Sequence, residues 1–97
     1  MKIPKFPLGQ VVATPGALEA LASAGHEPSE FLDRHIAGDW GELTQDDREE
    51  NERSVKEGFR ILSAYPLSDQ TKIWIITEAE GDDGNRQATT ILLPEEY

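Results

Sequence analysis

RILSAYPLSDQTKIWIITEAEGDDGNRQATTILLP, residues 60–94, is the stretch whose reading decides the fold. Its apolar pattern has a period of two, the signature of strands with distinct faces. Ile61, Ser63 and Tyr65 alternate with Leu62 and Ala64. Pro66 closes that strand and Leu67 to Gln70 supplies a turn. In Thr71 to Thr77, Ile73 and Ile75 point one way and Trp74 and Ile76 the other. Apolar on both sides and rich in β-branched residues, it is the best candidate for a central strand. Glu80 to Asn85 is a turn-rich loop, and Ala88 to Leu93 is the last strand, ended by Pro94. The links are too short for a crossover helix, so these three strands pair as antiparallel neighbours.

Upstream, the period becomes helical. Pro4 and Pro7 make residues 1–9 an extended arm, and Gln10 to Ala13 is a possible short strand. Thr14-Pro15-Gly16 is a helix start, since Thr14 can cap and a proline at the first helical position gives up an amide that has no partner there. That helix runs to about Ala24 and stops at Gly25. Pro28-Ser29 begins a second helix, with Phe31, Leu32, His35 and Ile36 on one stripe and Gly38 at its end. Thr44 and Asp47 resemble a capping box for a third helix, which reaches Glu57 and stops at Gly58. Its only large apolar residue is Val55, so most of it faces water. Glu49 with Arg53 and Glu52 with Lys56 are spaced as i,i+4 ion pairs. The expected fold is therefore α+β: a single domain, residues 1–97, with a helical part at 14–57 packed on a three-stranded antiparallel β-meander at 60–94. Two helices cover one face, and Trp40 and Trp74 are its largest core pieces.

Composition narrows the function classes. The chain has 97 residues and no cysteine, which removes disulfides, thiolate nucleophiles and cysteine-based metal sites. No run is apolar enough to span a membrane, and MKIPKFPLG lacks the apolar core of a signal peptide, so a cytoplasmic location is expected. The net charge is −10 and uneven: residues 1–24 carry two lysines against one glutamate, residues 25–60 eleven acids against five bases, and residues 61–97 seven acids against two bases. Such a field repels phosphate backbones and attracts a protein partner with a basic surface.

The densest unusual segment is HIAGDWGEL, His35 to Leu43. His35 and Asp39 have the spacing of a carboxylate-oriented imidazole, raw material for acid–base catalysis. No third partner or nucleophile elbow accompanies them. A structural account has Trp40 plugging the core and a protonated His35 favoured at a helix C-terminus. No catalytic residue, cofactor or metal site is assigned. His26 and His35 sit on different elements, and Asp82-Asp83-Gly84-Asn85 lacks the alternating ligands of a calcium loop. Arg60 is expected to pair with acids of the third helix. Asp46, Asp47, Glu49 and Glu50 form a dense negative surface able to occupy a basic groove on another macromolecule, although Arg48, Arg53 and Lys56 interleave with them as on a self-compensated face.

HIAGDWGELTQDDREEN, RILSAY, KIWIITEAE and TTILLPEEY resemble segments of a family of small proteins encoded on bacterial plasmids, integrative elements and prophages. Members are described as hypothetical or plasmid-related proteins, sometimes as a type I restriction–modification subunit, although a chain this short cannot contain a methyltransferase. The resemblance covers nearly the whole length and brings no catalytic residues. Relatives have a shorter link between the last two strands, so EAEGDDGNRQATT looks like an insertion away from any shared site. The resemblance implies a mobile-element setting and suggests counter-defence: a non-enzymatic inhibitor of restriction or CRISPR machinery acting at a nucleic-acid-binding surface. The order of elements is also similar to RelE-like toxins, whose nuclease chemistry needs basic residues scarce in this chain. A small nuclease or hydrolase using His35 and Asp39, or a homodimerising module in which Trp74 and Ile76, or Ile73 and Ile75, form the shared face, are the alternatives.

Overall fold

The computed structural model describes residues 3–97; the first two residues of the expected arm lie outside the described residues. The elements follow in the order β1 (Gln10–Ala13), α1 (Pro15–Ala24), α2 (Pro28–Ile36), α3 (Gln45–Glu57), β2 (Ile61–Pro66), β3 (Lys72–Thr77) and β4 (Ala88–Leu92), with a final 3-10 turn at Pro94–Glu96. The helix signals act as anticipated. Thr14 Oγ1 accepts from the Ala17 amide at 3.1 Å, Pro15 occupies the first turn of α1, and Gly25 ends it at φ +77°. Thr44 Oγ1 accepts from the Asp47 amide at 3.2 Å to start α3. Among the described residues, no helix is long and apolar enough to cross a membrane.

The fold is α+β, but the sheet is mixed and four-stranded, in the order β1-β4-β3-β2. The antiparallel meander of β2, β3 and β4 forms as the short links require. The correction is at the N-terminus: β1 pairs in parallel with β4, Gln10 opposite Ala88 and Ala13 opposite Ile91. The three helices and two strands between β1 and β4 give the chain ample length to return to that edge in the parallel sense. Both β3 and β4 are therefore interior strands.

The register separates two faces. Ile61, Ser63, Tyr65, Ile73, Ile75, Thr77, Thr89 and Ile91 point to one side and are each at most 1 % exposed. Helices α1 and α2 cover this side, Ala17, Leu21 and Phe31 packing with Tyr65, Ile73, Ile75 and Ile91. A second cluster joins Phe6 of the arm, Trp40 and Ile61, with Val55 of α3 against it. Trp40 is the core plug anticipated, 2 % exposed, its indole N–H donating to Glu52 Oε2 at 2.8 Å. Trp74 is not a core residue. It opposes Ala64 and Leu92 on the other face, half-buried, with its ring 5.6 Å from that of Tyr97.

The outer edge of β2 is closed by groups that are not a strand. Asn51 of α3 donates through Nδ2 to the Leu62 carbonyl at 2.6 Å and accepts from the Leu62 amide at 3.2 Å, as a neighbouring peptide would. Two residues on, the Ala64 amide donates to the Trp40 carbonyl at 3.1 Å and the Glu42 amide to the Ala64 carbonyl at 2.7 Å. Gly41, at φ +76°, permits this approach, because a Cβ there would run into the Ala64 carbonyl. An edge strand presents unpaired amides and carbonyls that other chains can join, and this edge is occupied.

Replacing Asn51 by Leu leaves both Leu62 groups without a partner and should lower unfolding stability by about 2–4 kcal/mol in urea titrations. Asn51→Asp keeps the acceptor for the Leu62 amide but turns a second acceptor toward the Leu62 carbonyl, and should likewise be less stable than the native chain.

Candidate functional site

The reactive groups lie in two places, the buried centre at His35 and the outer face of α3. His35 is fully buried. Its Nδ1 lies 2.5 Å from Ser63 Oγ and its Nε2 2.9 Å from Thr77 Oγ1. Thr77 Oγ1 is 2.7 Å from Thr89 Oγ1, which donates to the Leu8 carbonyl at 2.8 Å. That carbonyl can only accept, so the direction of the whole chain of bonds follows from it. Thr89 donates to Leu8, so Thr77 donates to Thr89; Thr77 must then accept from Nε2–H, and Nδ1 of the neutral ring accepts from Ser63.

Burial, aided by the positive charge of Arg86, lowers the His35 pKa to about 3. The protonated His35 expected at the end of α2 is therefore corrected to a neutral one. The His35–Asp39 pairing is not what occupies the ring. Asp39 instead accepts from Arg34 Nε at 2.7 Å and from the Gly41 amide at 3.3 Å. Tyr65 donates to the Asp39 carbonyl at 2.6 Å, and burial pushes its phenol up to about 12. A hydroxyl donating to an imidazole resembles an activated nucleophile, yet Ser63 and His35 are both fully buried beneath Phe6 and Trp40, whose rings lie 5.1 and 6.0 Å from the imidazole. A substrate would have to displace the core to reach them.

The internal cation is Arg86 rather than Arg60. Arg86 is 4 % exposed, and its guanidinium donates to the carbonyls of Phe59 at 2.7 Å, Glu78 at 2.9 Å and Ser54 at 3.0 Å, with Phe6 beneath it at 5.7 Å. It fastens the β3–β4 link to the end of α3, which binds that link into the fold. Arg60 lies over the Tyr97 ring at 5.4 Å and has no ion pair among the described residues.

On α3, Asp46, Asp47, Glu49 and Glu50 are all exposed. Asp46, Glu49 and Glu50 fall within roughly 100° of the helix circumference. The anticipated compensation differs from what forms. Arg48 donates to the carbonyls of Gly41 at 2.8 Å and Leu43 at 3.2 Å, and Arg53 pairs with Glu57 at 2.8 Å. Glu52 receives the Trp40 indole N–H. None of the four acids has an ion pair among the described residues. In the 80–87 loop, Asp83 Oδ1 accepts from the Asn85 amide and Gly81 bonds Asn85, a turn held by its own backbone. Among the described residues, no group of three or more histidines and acids is placed to hold a metal.

Sequence reasoning missed Arg86, Asn51 and the Ser63–Thr77–Thr89 row. The row had a signal: hydroxyls at inward strand positions next to isoleucines, opposite a histidine on an apolar helix stripe. Arg86 had none, since a turn-rich loop hides which side chain points in.

Because folded His35 stays neutral to about pH 3 while the unfolded ring protonates below about 6.5, the native state binds fewer protons between these values. Its contribution to stability is complete above pH 6.5 and is lost as pH falls toward 3. Urea titrations between pH 6.5 and 5, above the carboxylate range, should show stability falling with a slope approaching about 1.4 kcal/mol per pH unit. His35→Gln should lose that part of the slope while being less stable at pH 7. Nitrogen NMR of the native protein should show the Nε2–H tautomer unchanged down to about pH 4.

Compared with protein-family models, curated proteins and solved structures, the chain matches none.

Proposed function

We propose that this chain is a non-enzymatic binding protein whose helix α3 presents Asp46, Asp47, Glu49 and Glu50 to a basic, nucleic-acid-binding surface of a protein partner. The observation that carries the reading is the fate of the arginines on that helix. Arg48 is drawn onto two backbone carbonyls and Arg53 onto Glu57, so the four acids face solvent without ion pairs among the described residues. A cation held by carbonyls still contributes charge, but it no longer sits as a partner on the acids.

A rigid helix with carboxylates on its outer side can substitute for phosphates in a basic groove, and the attraction chiefly speeds encounter and selects partners. Asn51 pins the helix to the edge of β2, so the acids are presented without an ordering cost on binding. The sealed state of Ser63 and His35 weighs in the same direction, because the most reactive-looking pair in the chain is out of reach of a substrate. The mobile-element setting suggested by the sequence makes an inhibitor of restriction or CRISPR machinery the specific form of the proposal.

The test compares the native chain with a neutral variant, Asp46→Asn, Asp47→Asn, Glu49→Gln and Glu50→Gln, which keeps the helix and removes the charge. From a lysate of the bacterial host at low salt, the native chain should retain a basic nucleic-acid-binding protein and release it at about 0.5 M salt. The neutral variant should retain at least tenfold less, and the captured protein should lose its nucleic-acid binding in the presence of the native chain. Equal capture by both forms would refute the role of the acids.

A further inference from the structure

Residues 3–9 are held to the rest of the chain by few bonds. Pro4 and Pro7 have no amide hydrogen to give, and among the described residues the one amide of the segment bonded to main chain is that of Lys5, which donates to the Ile36 carbonyl at 2.8 Å. One carbonyl, that of Leu8, accepts from the Thr89 hydroxyl at 2.8 Å. Phe6 is the only buried side chain of the segment; Leu8 is half-buried and the others are exposed. The Phe6 ring is what covers the polar centre. It meets the His35 imidazole edge-on at 5.1 Å, stacks on Trp40 at 6.2 Å, and has the Arg86 guanidinium 5.7 Å from its centroid.

We infer that residues 3–9 form a strap that swings open as a unit while the helices and the sheet stay folded, and that this opening is the route by which small solutes reach His35 and Ser63. The two rings over the imidazole are anchored differently. Trp40 is fixed, its carbonyl accepting from the Ala64 amide at 3.1 Å and its indole N–H donating to Glu52 Oε2 at 2.8 Å. Phe6 is held only through the strap. On the sheet side the imidazole is closed in by Ser63 and Thr77, both fully buried on paired strands. Of the groups around the centre, Phe6 is therefore the one whose departure breaks the fewest bonds, and segments with few buried contacts and few backbone bonds are those that open locally.

Gly9 supplies the hinge. It lies at φ +65° between the strap and β1, against the backbone of Arg86 and Gln87, where a Cβ would collide. From Gln10 onward the chain belongs to the sheet, the Gln10 amide donating to the Gln87 carbonyl at 3.0 Å and β1 pairing with β4. A strap that pivots at Gly9 gives up the bond to Ile36, the bond from Thr89 and the Phe6 contacts, and leaves β1 in place. Opening uncovers the edge of the imidazole and the face of the Arg86 guanidinium, and frees the Thr89 hydroxyl. The closed form remains the prevailing one. None of the four acids of α3 takes part, so the strap is independent of the binding role assigned to that helix.

Diethyl pyrocarbonate, which acylates neutral imidazole, tests this on the native chain at about pH 7, with mass analysis of peptides locating the label. His26, whose side chain is 20 % exposed, serves as the internal reference. His35 should react more slowly than His26 but measurably, at a rate that stays flat up to about 1 M urea, because a small opening exposes little surface and global unfolding much. Phe6→Ala should raise the His35 rate at least about tenfold. Phe6→Leu, which keeps an apolar plug, should raise it less. Leu21→Ala, in the cluster beneath α1, should lower global stability yet leave the His35 rate as in the native chain. An unlabelled His35 beside a labelled His26, a rate that climbs with urea in step with global unfolding, or equal acceleration by Leu21→Ala and Phe6→Ala would overturn the inference.

Discussion

One hydrogen-bonded row ties this fold together: Ser63 to His35, His35 to Thr77, Thr77 to Thr89, and Thr89 to the carbonyl of Leu8. It joins β2, α2, β3, β4 and the N-terminal arm, five segments far apart in sequence. An imidazole sealed from water costs several kcal/mol if a ring nitrogen lacks a partner, and the row gives each nitrogen one. It also sets position. His35 can satisfy Ser63 and Thr77 together only if α2 lies at one height and one rotation over the sheet. The apolar clusters on either side are less demanding, because isoleucines and leucines tolerate small shifts that a hydrogen bond does not. The row thus supplies registry where hydrophobic contact supplies most of the driving force.

The same need to pair polar groups governs the edge and the loop. Asn51 stands in for a peptide beside Leu62, and Arg86 supplies donors to carbonyls of Ser54, Phe59 and Glu78 that end elements rather than continue them. A chain of this length has few elements with which to close its sheet, so side chains take over tasks that larger proteins give to further strands. The consequence for the surface is uneven. Helices and the arm cover one face, side chains and a short loop close the β2 edge, and the strand positions of the other face are largely apolar.

Much of this was legible in the sequence, for reasons that differ by element. The strands of residues 60–94 were readable because a period of two survives wherever one face is buried. The helices were readable because Thr14, Pro15, Gly25, Thr44 and Gly58 act locally at their ends. The parallel pairing of β1 was not, since four residues carry no signal of which strand they will join. Trp74 misled because size and hydrophobicity suggest a core residue, whereas its place is decided by parity: one position from Ile73 and Ile75, it must face away from the helices. On α3 the acids were correctly read as exposed, but their ion pairs were not, because spacing cannot reveal a competing acceptor such as the Gly41 carbonyl.

That competition also explains why counting opposite charges misjudges a surface. Arg48, Arg53 and Lys56 interleave with the acids of α3 in sequence, yet among the described residues only Arg53 forms an ion pair on the helix, and it does so with Glu57 at the far end. Arg86 adds a positive charge to the total, but it directs that charge into the interior, against carbonyls and the Phe6 ring. Apart from Arg48, the exposed cations without an ion pair among the described residues are spread over the molecule: Lys5 in the N-terminal arm, Lys56 on α3 with the acids, and Arg60 at the entry to β2. Each surface must therefore be judged by its own field rather than by the net charge of the chain.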